Sequence, residues 1–236
     1  MRASVPFLLT PSCLAEMNRI QYAREFFYWS KASNEGFFDH ELELLNQLQI
    51  KTGSALCLGS GGGREAFALA RMGMEVTGVD QVPELVRFAS DYAREQKLAA
   101  EFFTQNLLEL DLPRKQFDFI FIWNTVYSHV PSKEARISLL VRLRSLLHLE
   151  GKCAIHFLLK KPHPLEERWI GFLRAVVTLV GGNRNLEIGD RITSSNLFIH
   201  FFPSEEYVHE EAREAGFQHC EIFHSIHYST YAILSL

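Results

Sequence analysis

No run of about 18 apolar residues, the length a helix needs to cross a bilayer, occurs in the 236-residue chain, so a membrane span is not expected. Basic residues never cluster beyond pairs such as Lys160-Lys161, and the formal net charge is −4. A duplex-binding surface needs a concentrated cationic footprint, so double-stranded nucleic acid is excluded as a default partner; a single strand stays open, because folding can assemble a patch that the sequence hides. The chain also lacks any Cys-x-x-Cys pair. Cys13, Cys57, Cys153 and Cys220 are scattered, three of them in predicted central strands, and read as small apolar thiols of a reducing compartment. The histidines His163, His209, His219, His224 and His227 have no ligand spacing, and no Asp-Asp pair marks a divalent site, so no metal is expected. The opening stretch has one Arg and an apolar patch too brief for a secretory signal, which makes a soluble, cytoplasmic protein the expectation. With no internal repeat and no low-complexity linker, residues 1–236 read as one domain, and 47% hydrophobic content is enough for a sizeable core.

What is present is organised around Ala55 to Asp80, ALCLGSGGGREAFALARMGMEVTGVD. Ala55 to Leu58 is a short apolar run suited to a strand buried on both faces. Glycines then fill four of the five positions Gly59, Ser60, Gly61, Gly62 and Gly63, which lets a ligand approach the main chain closely. Arg64 to Arg71 returns to helix formers, and a second strand from Glu75 to Val79 ends at Asp80. Strand, glycine turn, helix, strand and acid make the first half of a nucleotide-binding α/β unit. A dinucleotide fingerprint counted from Gly59 would need a third glycine where Arg64 stands, so a nicotinamide oxidoreductase is the weaker assignment.

The same pattern continues downstream. Phe38, Leu42, Leu45 and Leu48 mark a helical stripe before the turn at Lys51 to Ser54. Pro83 opens a helix with Leu85, Phe88, Ala89 and Tyr92 inward, and Phe102-Phe103 belong to a third strand. Gln116 to Trp123 is a near-continuous apolar fourth strand, followed by Asn124, Thr125, Val126, Tyr127, Ser128, His129, Val130 and Pro131. Ser132 caps a helix over Glu134 to Leu147 with Ile137, Leu140, Leu143 and Leu147 inward, Gly151 stops it, and Cys153 to Leu159 forms the fifth strand. Glu166 to Val180 reads as an amphipathic helix, and Asp190 to Phe202 alternates Phe198, His200 and Phe202 against Ile199 and Phe201. Pro203 to Ala215 is a helix closed by Gly216, and Glu221–His224 with Tyr228–Leu234 reads as an antiparallel hairpin. In residues 1–35 the group Tyr22, Phe26, Phe27, Tyr28 and Trp29, within a helix over Asn18 to Lys31, either packs on the core or folds over the ligand mouth.

These stretches together resemble the class I S-adenosylmethionine-dependent methyltransferases, whose motif I reads roughly apolar-Asp-x-Gly-x-Gly-x-Gly. The resemblance runs from about Asp39 to the C-terminus, with an added lid-like segment, 161–203, between strands five and six. It implies a Rossmann-like sheet of seven strands, mostly parallel with the last strand antiparallel, and helices on both faces. It also implies S-adenosylmethionine as cofactor and S-adenosylhomocysteine as product. Gly59, Ser60 and Gly61 would cradle the cofactor, Asp80 would accept both ribose hydroxyls with Gln81 beside it, and Asn106 with Leu107 would hold the adenine where the family usually has an acid. Trp123 and Asn124 would complete the cofactor set. Cys57 departs from the pattern, standing where the family often has an acid, so one polar contact around the loop is lost or supplied elsewhere.

The implied reaction is in-line methyl transfer, which rests mainly on positioning and exclusion of water, with a base only if the acceptor must lose a proton. His129 and His200 are the candidate bases and Tyr127 an orienting hydroxyl, whereas His156 and His224 lie within strands and read as structural. A small-molecule acceptor and a monomer or homodimer are expected. The alternatives are methylation of a protein or RNA, although Trp123-Asn124 does not match the Asn/Asp-Pro-Pro-aromatic motif of amino-group methylation, and a non-catalytic cofactor-binding module.

Overall fold

Alternation along the central strands decides which helices cover which face. In a computed structural model describing residues 6, 8–32, 35–50, 52–112, 116–161, 170, 172 and 183–236, the strands in chain order are β1 (Gly53–Leu58), β2 (Met74–Asp80), β3 (Ala100–Thr104), β4 (Phe117–Ile122), β5 (Leu147–Phe157), β6 (Asp190–Ile192), β7 (Phe198–His200), β8 (His219–His224) and β9 (Thr230–Ser235). The helices are α1 (Pro11–Arg24), α2 (Phe26–Ala32), α3 (Asp39–Leu48), α4 (Arg64–Arg71), α5 (Pro83–Glu95), α6 (Lys133–Ser145) and α7 (Glu205–Glu214). Leu56, Leu58, Ile120, Ile122 and Ile155 pack on one side with Leu139, Leu140 and Leu143 of α6 and Val208 and Ala212 of α7. Ala55, Cys57, Phe121 and Ala154 pack on the other with Leu44, Leu45 and Leu48 of α3 and Ala66 and Leu69 of α4. Period-two side chains thus give a sheet buried on both faces, as near-continuous apolar runs require.

Seven of the strands form one sheet in the order β3-β2-β1-β4-β5-β9-β8. Pairings from β3 to β5 are parallel, while β9 runs antiparallel to both β5 and β8. The Rossmann-like architecture with its reversed final strand is therefore present. β6 and β7 make a separate antiparallel ribbon, tied to the end of β5 by the parallel bridge Leu159↔Phe202. The amphipathic helix expected over Glu166 to Val180 lies outside the described residues except at Ile170 and Phe172.

Several expectations are corrected. The stripe of α3 is Glu41, Leu44, Leu45 and Leu48, with Leu42 and Phe38 exposed, because Glu41 turns inward to meet Arg64. Gly151 does not stop a helix. α6 ends at Ser145, β5 begins at Leu147, and the register shifts from Phe117↔Leu147 to Phe119↔Lys152 around Gly151. A Cβ there would lie 2.9 Å from the Phe117 carbonyl, so glycine serves a close strand approach. The helix expected over Asn18 to Lys31 is two helices, α1 and α2, meeting at Glu25.

The N-terminal arm is fastened by one side chain. Asn18 is 2% exposed; its Oδ1 accepts from the Phe198 amide at 2.7 Å and its Nδ2 donates to the Phe198 carbonyl at 3.1 Å. A side-chain amide thereby pairs with β7 as a neighbouring strand would. Nδ2 also reaches the His129 carbonyl at 3.5 Å, joining arm, ribbon and the loop after β4. Beneath that loop, fully buried Arg136 pairs with Glu211 at 2.6 Å and Glu187 at 2.8 Å. Asn18→Leu keeps the side-chain size but strands both Phe198 groups, at a cost of about 1–3 kcal/mol and roughly 2–12 °C in Tm. Hydrogen exchange should speed up in Pro11–Trp29 more than in β1 or β5; unchanged exchange in the arm would mean that Asn18 does not hold it.

Candidate active site

β1 pairs with β2 on one side and β4 on the other, and the chain leaves β1 at Leu58 directly into the glycine turn. A crevice opens at such a point, beyond the carboxyl ends of the strands. The Ser60 amide donates to the Val79 carbonyl at 3.0 Å and the Gly61 amide to Asp80 Oδ2 at 2.8 Å, so the turn is stitched to the end of β2. Gly59 has φ +64° and a Cβ there would lie 2.6 Å from Val126, which leaves room for no side chain. Gly61 has φ +51° and open space where its Cβ would stand. The buried Ser60 Oγ has no partner among the described residues.

The cavity at this point is lined on one side by Gly59, Ser60, Gly61, Gly62, Asp80, Gln81 and Leu85, and by Asn106, Leu107 and Leu108 after β3. Arg64, Glu65 and Asn124 line its far end. Its roof and remaining wall are Ala15, Asn18, Tyr22 and Trp29 of the arm with Val126, His129, Val130 and Pro131. Among the expected cofactor residues, the structure brings together Gly59, Ser60, Gly61, Asp80, Gln81, Asn106, Leu107 and Asn124. Trp123 is not among the lining residues. Its ring continues the stack Phe119, Phe121, Trp123, at 6.1 Å and 4.6 Å between successive centroids, into the core beside α3 and α4.

Asp80 is buried at the head of the crevice. Its Oδ1 accepts from the Val82 amide at 2.9 Å, and burial raises its pKa against the pull of its amide donors. Each carboxylate oxygen keeps a further lone pair for a ligand hydroxyl. Asn106 Oδ1 accepts from the Leu108 amide at 3.0 Å, capping a short 3-10 turn, and likewise retains acceptor capacity. Arg64 is not available to an anion: Nη1 donates to the Gly36 carbonyl and Glu41, Nη2 to Glu41 and Glu65, and the guanidinium lies 3.9 Å from the Phe38 ring centroid.

The loop after β4 begins with two left-handed residues, Asn124 at φ +46° and Thr125 at φ +61°, a backbone that non-glycine residues adopt at a cost. The turn puts the Thr125 carbonyl 3.0 Å from His129 Nδ1. A carbonyl only accepts, so the ring proton is on Nδ1 and Nε2 carries the lone pair. Nε2 is 3.4 Å from the Tyr22 hydroxyl. Burial lowers the His129 pKa to about 4, although its edge stays open to the cavity.

The other two candidate catalytic residues do not line the cavity. The Tyr127 hydroxyl donates to Glu211 at 2.6 Å in the buried cluster around Arg136. His200 is fully buried, with Nδ1 2.8 Å from Asp190 across the β6–β7 ribbon, and burial lowers its pKa to about 3. Glu187, Asp190 and His200 lie close enough to share an ion, but Arg136 already occupies both oxygens of Glu187. Among the described residues sequence reasoning missed Glu65, Asn18 and the Tyr22–His129 contact. Only Glu65, next to the glycine turn, left a local signal.

Residues 55–151 match the family model described as a methyltransferase domain. That stretch runs from β1 into β5 and spans less than half of the chain. A ubiquinone biosynthesis O-methyltransferase of Coxiella burnetii is 33% identical over 91 residues, which span 39% of this chain and only 38% of that protein. The 1,6-didemethyltoxoflavin-N1-methyltransferase of Burkholderia thailandensis, solved with 1,6-didemethyltoxoflavin and S-adenosylhomocysteine, superposes with TM-score 0.65 at 17% identity, over 96% of this chain and 90% of that one. A TehB-like SAM-dependent methyltransferase from Corynebacterium glutamicum gives TM-score 0.61 at 17% identity, over 92% and 99%. At such identities the two structures show likeness of fold. The cradle fits the family's cofactor: a glycine with open space, an orphaned Ser60 hydroxyl and an acid at the end of β2 are the donors and acceptors that a nucleoside needs.

Asp80→Ala removes the acceptor of the Gly61 and Val82 amides together with the candidate ribose contact. Charge-assisted bonds of this kind contribute about 1.5–3 kcal/mol each, so S-adenosylhomocysteine affinity should fall by one to a few orders of magnitude in calorimetry. A folded Asp80→Ala protein that binds like wild type would remove the ribose role.

Proposed function

We propose that the chain transfers a methyl group from S-adenosylmethionine to a hydroxyl or N–H of a small, largely apolar acceptor, with His129 taking the acceptor's proton. The observation that carries this reading is the Nε2 lone pair of His129, met only by the long Tyr22 contact, on the wall of a cavity roofed by α1 and α2. When bound, the cofactor supplies a methyl group activated by its sulfonium. The chain's own part is then to hold, orient and dry the reacting groups. Gly59, Ser60, Gly61, Asp80, Gln81, Asn106, Leu107 and Asn124 form the holding set.

Tyr22, Trp29, Val126, Val130 and Pro131 give the acceptor side an apolar, ring-lined wall, the kind of surface that encloses a planar small molecule. The roof also disfavours a macromolecular acceptor. Arg64, the cation in the lining, is committed to Glu41 and Glu65, so a neutral acceptor suits the cavity better than a carboxylate or phosphate. The Tyr22 hydroxyl donates toward His129 Nε2 at 3.4 Å, and an acceptor hydroxyl replaces it there. Nδ1–H, held by Thr125, fixes the tautomer in which Nε2 accepts the proton. The names of the Coxiella and Burkholderia proteins, one an O-methyltransferase and one solved with a small heteroaromatic compound, support the same substrate class. Tyr127 and His200 are assigned to holding the loop and ribbon.

The test is production of S-adenosylhomocysteine with a panel of phenols and N-heteroaromatics. His129→Ala should lower kcat by about a hundredfold or more, the usual size of general-base assistance, with cofactor affinity little changed. A neutral base is needed, and burial holds His129 neutral down to about pH 4. The wild-type rate should therefore rise as pH climbs through about 4 and stay level above it. Full kcat in His129→Ala would end the base role, and tight cofactor binding without turnover across the panel would favour a non-catalytic cofactor-binding module.

A further inference from the structure

Glu65 is a cavity-lining acid left over when the holding set is accounted for. It sits in the first turn of α4, 5% exposed. Oε1 accepts from Arg64 at 2.6 Å and from Asn124 Nδ2 at 2.5 Å. Both side-chain partners sit on Oε1, so Oε2 takes no bond from another side chain among the described residues. The positive charge of Arg64 is shared with Glu41, so the cluster at this end of the cavity has one carboxylate more than its cation neutralises. A buried carboxylate in surplus, with one oxygen that no other side chain holds on a ligand cavity, is an acceptor for a cation. Burial first, and the Glu65 charge after it, raise the Cys57 thiol pKa, so Glu65 borders the position where the polar contact around the glycine loop is otherwise missing.

We propose that Glu65 receives the α-ammonium group at the amino-acid end of the sulfonium cofactor, through Oε2. This rests on the methyltransferase reading above. Asn124 and Arg64 are the positioning residues: they hold Oε1 and leave Oε2 to the ligand. The groups facing Glu65 are Arg64 on its own helix, Glu41 on α3, Cys57 on β1, Asn124 after β4 and Tyr231 on β9. Burial first, then the neighbouring Glu41 charge, raise the Glu65 pKa to about 7 against the pull of Arg64. A bound ammonium favours the ionised form, so its arrival below about pH 7 drives a proton off the carboxyl.

The experiment is calorimetry on the full chain with S-adenosylhomocysteine and with 5′-methylthioadenosine, which lacks the amino-acid end. Glu65→Gln keeps the side chain's shape and an oxygen for Arg64 and Asn124. It should weaken S-adenosylhomocysteine binding about tenfold to a hundredfold, as loss of a charge-assisted bond does, and leave 5′-methylthioadenosine within about twofold. Wild type near pH 6.5, titrated in buffers of different ionisation enthalpy, should release protons with S-adenosylhomocysteine and none with 5′-methylthioadenosine. That second measurement needs no variant to fold. Equal weakening of both nucleosides by Glu65→Gln, no weakening of either, or no proton release with S-adenosylhomocysteine would overturn the proposal. Wild type binding neither nucleoside would overturn the cofactor reading, and the role of Glu65 with it.

Discussion

The parallel ladder that joins β1 to β2 and β4 at once is the constraint on which the rest of the molecule depends. Strands that diverge from one central strand leave an unfilled crevice at their carboxyl ends, and the chain has to turn there without closing it. The glycine turn does this with two backbone bonds, one to the Val79 carbonyl and one to Asp80. Asp80 is thus part of the turn's own structure as well as of the ligand wall. Because α4 starts from that turn, Arg64 and Glu65 reach the same crevice, and Glu41 of α3 comes with them to balance the guanidinium. Position, charge and opening of the site all follow from the register of a few central strands.

The sheet provides only half of an enclosure. The other half is built from segments far apart in sequence: the N-terminal arm, the loop after β4 and the β6–β7 ribbon. Their junctions are polar. Asn18 joins arm to ribbon, Ser128 Oγ accepts from the Leu158 amide, and Arg136 with Glu187, Glu211 and Tyr127 ties α6, α7 and the loop. Buried polar links of this sort are directional, so they fix the roof in one position where apolar packing alone tolerates sliding.

Much of the crevice was legible because its signals are local. Glycine, helix formers and an acid follow one another within Ala55 to Asp80, and α4 has the expected bounds, Arg64–Arg71. The reversed final strand was legible too, because Glu221–His224 and Tyr228–Leu234 lie too close together for a parallel crossover. What escaped depends on distance in sequence or on parity. The Tyr22–His129 contact spans 107 positions and the Asn18–Phe198 pair 180, and nothing near either residue announces its partner. The resemblance implies a cofactor contact for Trp123, yet it shares the parity of Phe119 and Phe121 and continues their stack into the core. His200 follows the same rule, since alternation with Phe198 and Phe202 puts it inside. The stripe of α3 is hidden in the sequence because a charged residue, Glu41, occupies the inward position, and its distant partner Arg64 makes that burial tolerable.

The Asn18–Phe198 pair also sets an order of events during synthesis. α1 leaves the ribosome first, but the strand it must grip is 180 residues behind it. At ordinary elongation rates of about 5–20 residues per second, that separation is a wait on the order of ten to forty seconds. In the later part of that interval, once Asn124 has been made and before Phe198 follows, the nucleotide crevice of β1 to β4 has all of its own residues while the arm has no ribbon to close against. The nascent chain therefore passes through a stage in which the cofactor half of the site exists with its mouth open, and the acceptor half arrives only when β7 emerges.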